Sequence, residues 1–100
     1  MVLTTIAQKA DADRVAKHLV ERRLAGCVQV VGPISSTYWW QDEIEVAEEW
    51  LCLIKTGQSV YEEVEKAIIE VHPYETPEII AVPVVAGSEG YLGWLESQLR

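Results

Sequence analysis

Residues Cys27 to Thr56 hold the feature that most constrains this chain: two long strand-forming runs back to back, interrupted only at Gly32-Pro33 and at Gln41-Asp42. The first runs from Cys27 to Val31, bends or bulges at Gly32-Pro33, and resumes through Ile34, Thr37, Tyr38, Trp39 and Trp40. Gln41-Asp42 makes the turn. The return strand, Glu43 to Thr56, sets Ile44, Val46 and Trp50 against Glu43, Glu45 and Ala47, then turns apolar on both faces over Trp50-Leu51-Cys52-Leu53-Ile54. At about 3.3 Å per residue each arm approaches 40 Å, so the tip projects past any core a single small domain can build. Successive strand residues point to opposite faces, so Trp39 and Trp40 cannot both be covered by one packed layer. Left in water, that edge and those rings would aggregate, and an obligate oligomer is predicted.

The flanking segments supply the rest of one domain, residues 1–100. Val2 to Ile6 is strand-like. Asp11 or Asp13 can cap a helix running from Ala12, whose apolar face takes Ala12, Val15, Ala16, Leu19 and Arg23, widened by Val20 and Leu24, with Gly26 as its stop and His18 in solvent. After Gly57-Gln58-Ser59, a helix from Val60 to Val71 is expected with Ser59 as cap, burying Val60, Val64, Ala67, Ile68 and Val71. A strand from Glu78 to Val85 follows, limited by Pro83 and covered on at least one face. Ser88 caps a last amphipathic helix carrying Tyr91, Leu92, Leu95 and Leu99, with Trp94 at the margin. The order is βαββαβ plus a C-terminal helix, the α+β ferredoxin-like arrangement, in which an antiparallel sheet carries both helices on one face. The other face, aromatic and aliphatic here, awaits a partner sheet.

Charge narrows the partners. Sixteen acidic against eight basic residues give a formal charge of −8, which disfavours nucleic-acid phosphates and anionic lipid and suits cations. No apolar run reaches the roughly 20 residues that span a bilayer, and the N-terminus reads as strand rather than signal peptide, so a cytoplasmic setting is expected. Cys27 and Cys52 lack Cys-x-x-Cys spacing and read as free, buried thiols. Asp42, Glu43, Glu45, Glu48 and Glu49 guard the hairpin's solubility more readily than they collect cations.

The densest chemistry is His72-Pro73-Tyr74-Glu75-Thr76-Pro77-Glu78. Each proline fixes its own φ and pushes the preceding residue toward extended geometry, so the loop presents its side chains in set directions. That rigidity serves a binding site, or it simply turns a helix into a strand. In the second reading His72 ends a helix where a cation favours the dipole, Tyr74 packs and Glu78 begins the strand.

Five motifs, in order and spacing, resemble the CutA divalent-cation tolerance proteins: Glu21-Arg22-Arg23-Leu24-Ala25-Gly26-Cys27-Val28, Ser36-Thr37-Tyr38-Trp39-Trp40, Leu53-Ile54-Lys55-Thr56, His72 through Ala81, and Tyr91-Leu92-Gly93-Trp94-Leu95. The resemblance covers nearly the whole chain. It implies a ferredoxin-like subunit in a tight homotrimer, similar in assembly to PII signalling proteins, and a part in tolerance of divalent metals, copper especially. Departures are Gly26 where the family usually has Ala, Gln29 where it has Asn, and Asp42 where the hairpin commonly turns through Gly.

Function can then be framed in four ways. For copper or another divalent cation, soft and borderline donors are needed, and Cys27 and His72 are the candidate metal ligands, with Cys52 as a further thiol. Their spacing gives no local chelate, so folding or subunit contact must assemble the site. A PII-like trimer binding a small polar ligand would use Lys55, Tyr74, Glu75, Glu78, Tyr91 and Trp94, which together offer an ammonium, carboxylates, phenols and an indole; the chain has no glycine-rich phosphate loop and no organic cofactor is implied. Enzymatic activity is not expected, since no Ser-His-Asp order, Gly-x-Ser-x-Gly or His-Glu-x-x-His occurs. The last possibility is a scaffold for another protein.

Overall fold

A computed structural model describes residues 1–100. The order is β1 (Val2–Ile6), α1 (Lys9–Glu21), β2 (Cys27–Trp40), β3 (Glu43–Lys55), a 3₁₀ turn (Gln58–Val60), α2 (Tyr61–Val71), β4 (Ile80–Ala81) and α3 (Glu89–Gln98). The strands form one antiparallel sheet in the order β2-β3-β1-β4. An α+β chain with three helices and a four-stranded antiparallel sheet is therefore what the alternation of hydrophobic periods produces.

Register decides which side chains meet the helices. Val2, Thr4 and Ile6 stand opposite Ile54, Cys52 and Trp50 and share the helix-covered face. Ile6, Leu19, Ile54 and Ile68 are fully buried there, and truncating any one to alanine costs about 2–5 kcal/mol. Leu3, Thr5, Leu51, Leu53 and Lys55 face the other way, together with Cys27, Gln29 and Val31 across β2. Neither α1 nor α2 covers that second face, and α3 stands only at its Cys27 end.

The hairpin is as long as its sequence requires, and the molecule measures 45 Å along its longest axis. Gln41 and Asp42 take φ of 51° and 65°, the left-handed pair of a two-residue turn whose twist matches the strands. Between Val31 and Ile34 the register shifts by one residue, a bulge that returns Ile34, Ser36, Tyr38 and Trp40 to the uncovered face. Gly32 belongs there because a Cβ would lie 2.6 Å from Cε3 of Trp50 and 3.1 Å from the Glu49 carbonyl.

Several boundaries differ from expectation. Helix α1 starts at Lys9 with Gln8 as N-cap and no side-chain cap bond, so neither Asp11 nor Asp13 is the cap. Its end is set by Arg23, at φ 60°, with Arg23 N–H donating to the Val20 carbonyl and Leu24 N–H to that of Leu19. That is a Schellman closure with Leu24 packed on Leu19, and it places Arg23 in solvent and leaves Gly26 outside the cap. Val20 is exposed too. Ser59 lies inside the 3₁₀ turn, and α2 has no side-chain cap bond.

The last strand departs most. Only Ile80 and Ala81 pair with β1, opposite Leu3 and Val2, whereas Val84 and Val85 are exposed, Val85 to 92%. The apolar run expected to be covered is extended and unpaired within this chain. Ser88 does cap α3, accepting from Tyr91 N–H at 3.3 Å, but α3 buries no residue fully: Leu95 and Leu99 are half-buried while Tyr91, Leu92 and Trp94 are exposed.

Candidate functional site

The structure separates the sequence-derived site residues into two groups. The first is built on the loop after α2. His72 is buried, its Nε2 lying 2.9 Å from the Thr5 carbonyl oxygen. β4 begins at Ile80, opposite Leu3 and two residues short of Thr5, and the imidazole supplies the donor that a longer strand would have given. A carbonyl can only accept, so Nε2 carries the proton; Nδ1 then accepts from Tyr74 N–H at 3.1 Å. Both ring nitrogens are engaged, and the ring is held neutral: burial lowers its pKa from 6.5, outweighing the Thr5 bond and the charges of Asp11 and Glu49. The expected imidazolium at the helix end is replaced by a neutral ring that closes the sheet edge.

Tyr74 packs edge-on against His72, ring centroids 4.8 Å apart, and its hydroxyl donates to Glu49 Oε2 at 2.6 Å. Burial, then the bond to Glu49, raises the Tyr74 pKa far above the usual phenol range. Glu49 is only 6% exposed. Composition places it among the solvated acids of the hairpin; the structure takes it out of that group and makes it the acceptor that ties the loop to β3. Nothing in its local sequence marks it, because the donor lies 25 residues away. Glu75 and Glu78 are exposed and make no ion pair.

The second group lies at the opposite end of β3. Cys27 and Lys55 are directly paired across β2 and β3, and Lys55 Nζ donates to Gln29 Oε1 at 2.9 Å. Tyr91 stands near Cys27, and its pKa is raised by desolvation first and by that thiol second. Trp94 completes the group, its ring 5.8 Å from that of Tyr91. This cluster offers an ammonium, an amide, a phenol, an indole and a half-buried thiol on the uncovered sheet face.

Within one chain the two metal candidates do not meet. Thr5, which holds His72, pairs with Leu51, and Cys27 pairs with Lys55, a separation of about 13 Å along β3. No group of three His, Cys, Asp or Glu side chains is placed to hold a metal ion. Cys52 is fully buried, and desolvation, then the charge of Asp13, pushes its thiol up to about 11. It is a core residue, as its apolar surroundings predict.

Fold and site together define a small α+β protein with a protruding hairpin, one uncovered sheet face and no complete metal centre in a single chain. The CutA1 divalent ion tolerance protein family matches residues 1–98, and the chain belongs to that family. The divalent-cation tolerance protein CutA of Thermus thermophilus is 40% identical over 95 residues, covering 95% of this chain and 92% of that protein. The solved T. thermophilus structure superposes with a TM-score of 0.96 at 38% identity, covering 99% of this chain and 96% of that one. A structure described as the periplasmic divalent cation tolerance protein CutA of Archaeoglobus fulgidus gives 0.95 at 34%, covering 99% and 96%. The chloroplastic protein CutA 1 of rice is 34% identical over all 100 residues, which span 56% of its length; this chain is thus about half as long as that plant relative. No helix here is long and apolar enough to cross a membrane.

Proposed function

We propose that this chain acts as a cytoplasmic homotrimer, ferredoxin-like in each subunit and PII-like in assembly, that serves divalent-metal tolerance by binding copper or another divalent cation without catalysis. The observation that carries this reading is the place of Cys27. It is the one thiol outside the core, and it sits on the uncovered sheet face where copies of the chain would meet. Because a single chain assembles no three-donor group, a tight site needs donors from more than one subunit, and recruiting His72 would mean displacing the Thr5 or Tyr74 bond.

Self-association is supported by complementary unpaired surfaces. β2 is an edge strand of fourteen residues, and the extended segment through Val84 and Val85 has backbone groups to offer such an edge. A contact between two different surfaces of the same chain is heterologous, and with a rotation of one third of a turn it closes into a ring of three. The family's description as tolerance proteins supports the metal role, and neither nucleic acid nor membrane suits the chain's charge. Relatives carry periplasmic and chloroplastic descriptions, so fractionation of the native cell tests the compartment.

The decisive measurement is calorimetry on chelator-stripped protein titrated with copper, alongside light scattering. Stoichiometric binding, a raised melting temperature and a mass three times the 11.2 kDa chain are expected. Cys27→Ser should weaken binding at least tenfold. Undiminished binding by that variant, or none by wild type, would sink the metal reading; a stable monomer would sink the trimer. A second reading, a small polar ligand at Lys55, Gln29, Tyr91 and Trp94, is favoured by one detail: Lys55 bonds an amide and no carboxylate. Tyr74, Glu75 and Glu78 belong to the other end of the sheet and enter such a site only from a second subunit.

A further inference from the structure

The edge of β1 at Thr5 has two candidate partners, and only one is in place. Met1 and Val82 bond each other mutually: the Met1 ammonium donates to the Val82 carbonyl at 2.9 Å, and Val82 N–H to that of Met1 at 2.8 Å. In an antiparallel ladder such pairs recur at every second residue. Leu3 and Ile80, already opposite each other, are the next pair, and Thr5 and Glu78 are the one after. The pairing stops before reaching them. The Thr5 carbonyl accepts from Nε2 of His72 instead, Thr5 N–H on the same edge has no strand beside it, and Glu78 N–H donates to no backbone carbonyl.

Nothing in the neighbouring residues forbids the longer strand. Ile79 already packs against the core, on the side where alternation sets it opposite the buried Thr4. Pro77 would stand where the backbone nitrogen points away from β1, so its missing N–H removes no bond between the strands. The exchange of bonds is close to even. The capped edge holds the His72–Thr5 bond at 2.9 Å and the Tyr74 N–H on Nδ1 at 3.1 Å; the longer strand would hold Glu78 N–H on Thr5 and Thr5 N–H on Glu78. Two bonds replace two, each contributing a net ~1 kcal/mol.

We propose that this edge is a two-state switch, in which β4 either stops at Ile80 with His72 capping Thr5, or lengthens to Glu78 and releases the imidazole. The longer strand frees both ring nitrogens, so a divalent cation that ligates His72 selects that state. Glu78 then returns to the backbone what the cation takes from it. The link to a cation rests on the metal reading above, whereas the alternation at Thr5 does not.

Amide hydrogen exchange followed by NMR on the metal-free full chain tests the switch. In wild type the Thr5 and Glu78 amides should exchange fast. In His72→Ala, which removes the cap, both should slow at least tenfold, while His72→Gln, whose amide can still donate to Thr5, should exchange as wild type does. Should the smaller side chain fail to fold, His72→Leu keeps most of the buried volume and carries the same expectation. Fast exchange at Glu78 in a folded His72→Ala or His72→Leu, or exchange already as slow in wild type, would overturn the switch. Zinc, which is diamagnetic and binds imidazole, should slow the Glu78 amide of wild type. If the cap-less variants lengthen the strand and zinc moves nothing, the switch stands and His72 drops out of the metal site.

Discussion

Tyr74→Phe strands a buried carboxylate. Glu49 has one side-chain donor, at 2.6 Å, so removing that hydroxyl should cost about 1–3 kcal/mol, read from urea denaturation. Glu49→Gln keeps an acceptor for Tyr74 and should cost less; equal costs would show that the bond matters only for packing. His72 makes a pH prediction. Its folded pKa lies below the ordinary 6.5, so the unfolded chain binds the extra proton first as pH falls. The stabilisation is complete above 6.5 and is lost below it, down through the folded pKa. Metal-free protein should therefore lose more melting temperature between about pH 7.5 and 5.5 than His72→Gln, whose amide can donate to Thr5 but cannot titrate. Equal losses would place the pH sensitivity elsewhere.

Among the elements, two glycines separate backbone from side-chain crowding. Gly32→Ala drives a Cβ against the Trp50 ring and the Glu49 carbonyl, which cannot yield without moving the bulge, and should cost about 1–3 kcal/mol. At Gly26 the nearest obstacle is the free end of Leu95, at 2.6 Å, so Gly26→Ala should be nearly neutral. Thermal melts of both variants test the contrast. At the hairpin tip, replacing Gln41-Asp42 by Asn-Gly should raise stability by about 1 kcal/mol, because both positions have positive φ. The β2–turn–β3 unit was legible residue by residue, since alternation and turn chemistry are local. The α1 terminus was not: Arg23 adopts a glycine's backbone conformation because Leu24 gains burial against Leu19, a tertiary reward outweighing a local cost.

For the whole molecule, exposure is the telling quantity. Trp39 is 72% and Val85 92% exposed in the single chain, so Val85→Asp should leave the chain's own fold intact and lower the assembled mass in light scattering. Trp39→Ala should cost about 3–5 kcal/mol if assembly buries the ring. A stable, full-mass assembly in both variants would place the subunit contacts elsewhere.

The sequence by itself determined the order of elements, the hairpin and its turn, most of the buried stripe of each long helix, and the family, because each of these rests on periodicity or on short motifs in register. Only the tertiary structure decided where the candidate site residues stand. It put Cys27 and His72 at opposite ends of β3, used both His72 nitrogens to complete a sheet edge, and turned Glu49 from a surface acid into a buried acceptor. It also left the final valines unpaired, because a register that sets Ile80 opposite Leu3 and Ala81 opposite Val2, with Val82 bonded to Met1, carries Val84 and Val85 past the start of β1. Hydrogen-bond partners far apart in the chain carry no local signature, and pairing and burial settle them only once the sheet has formed.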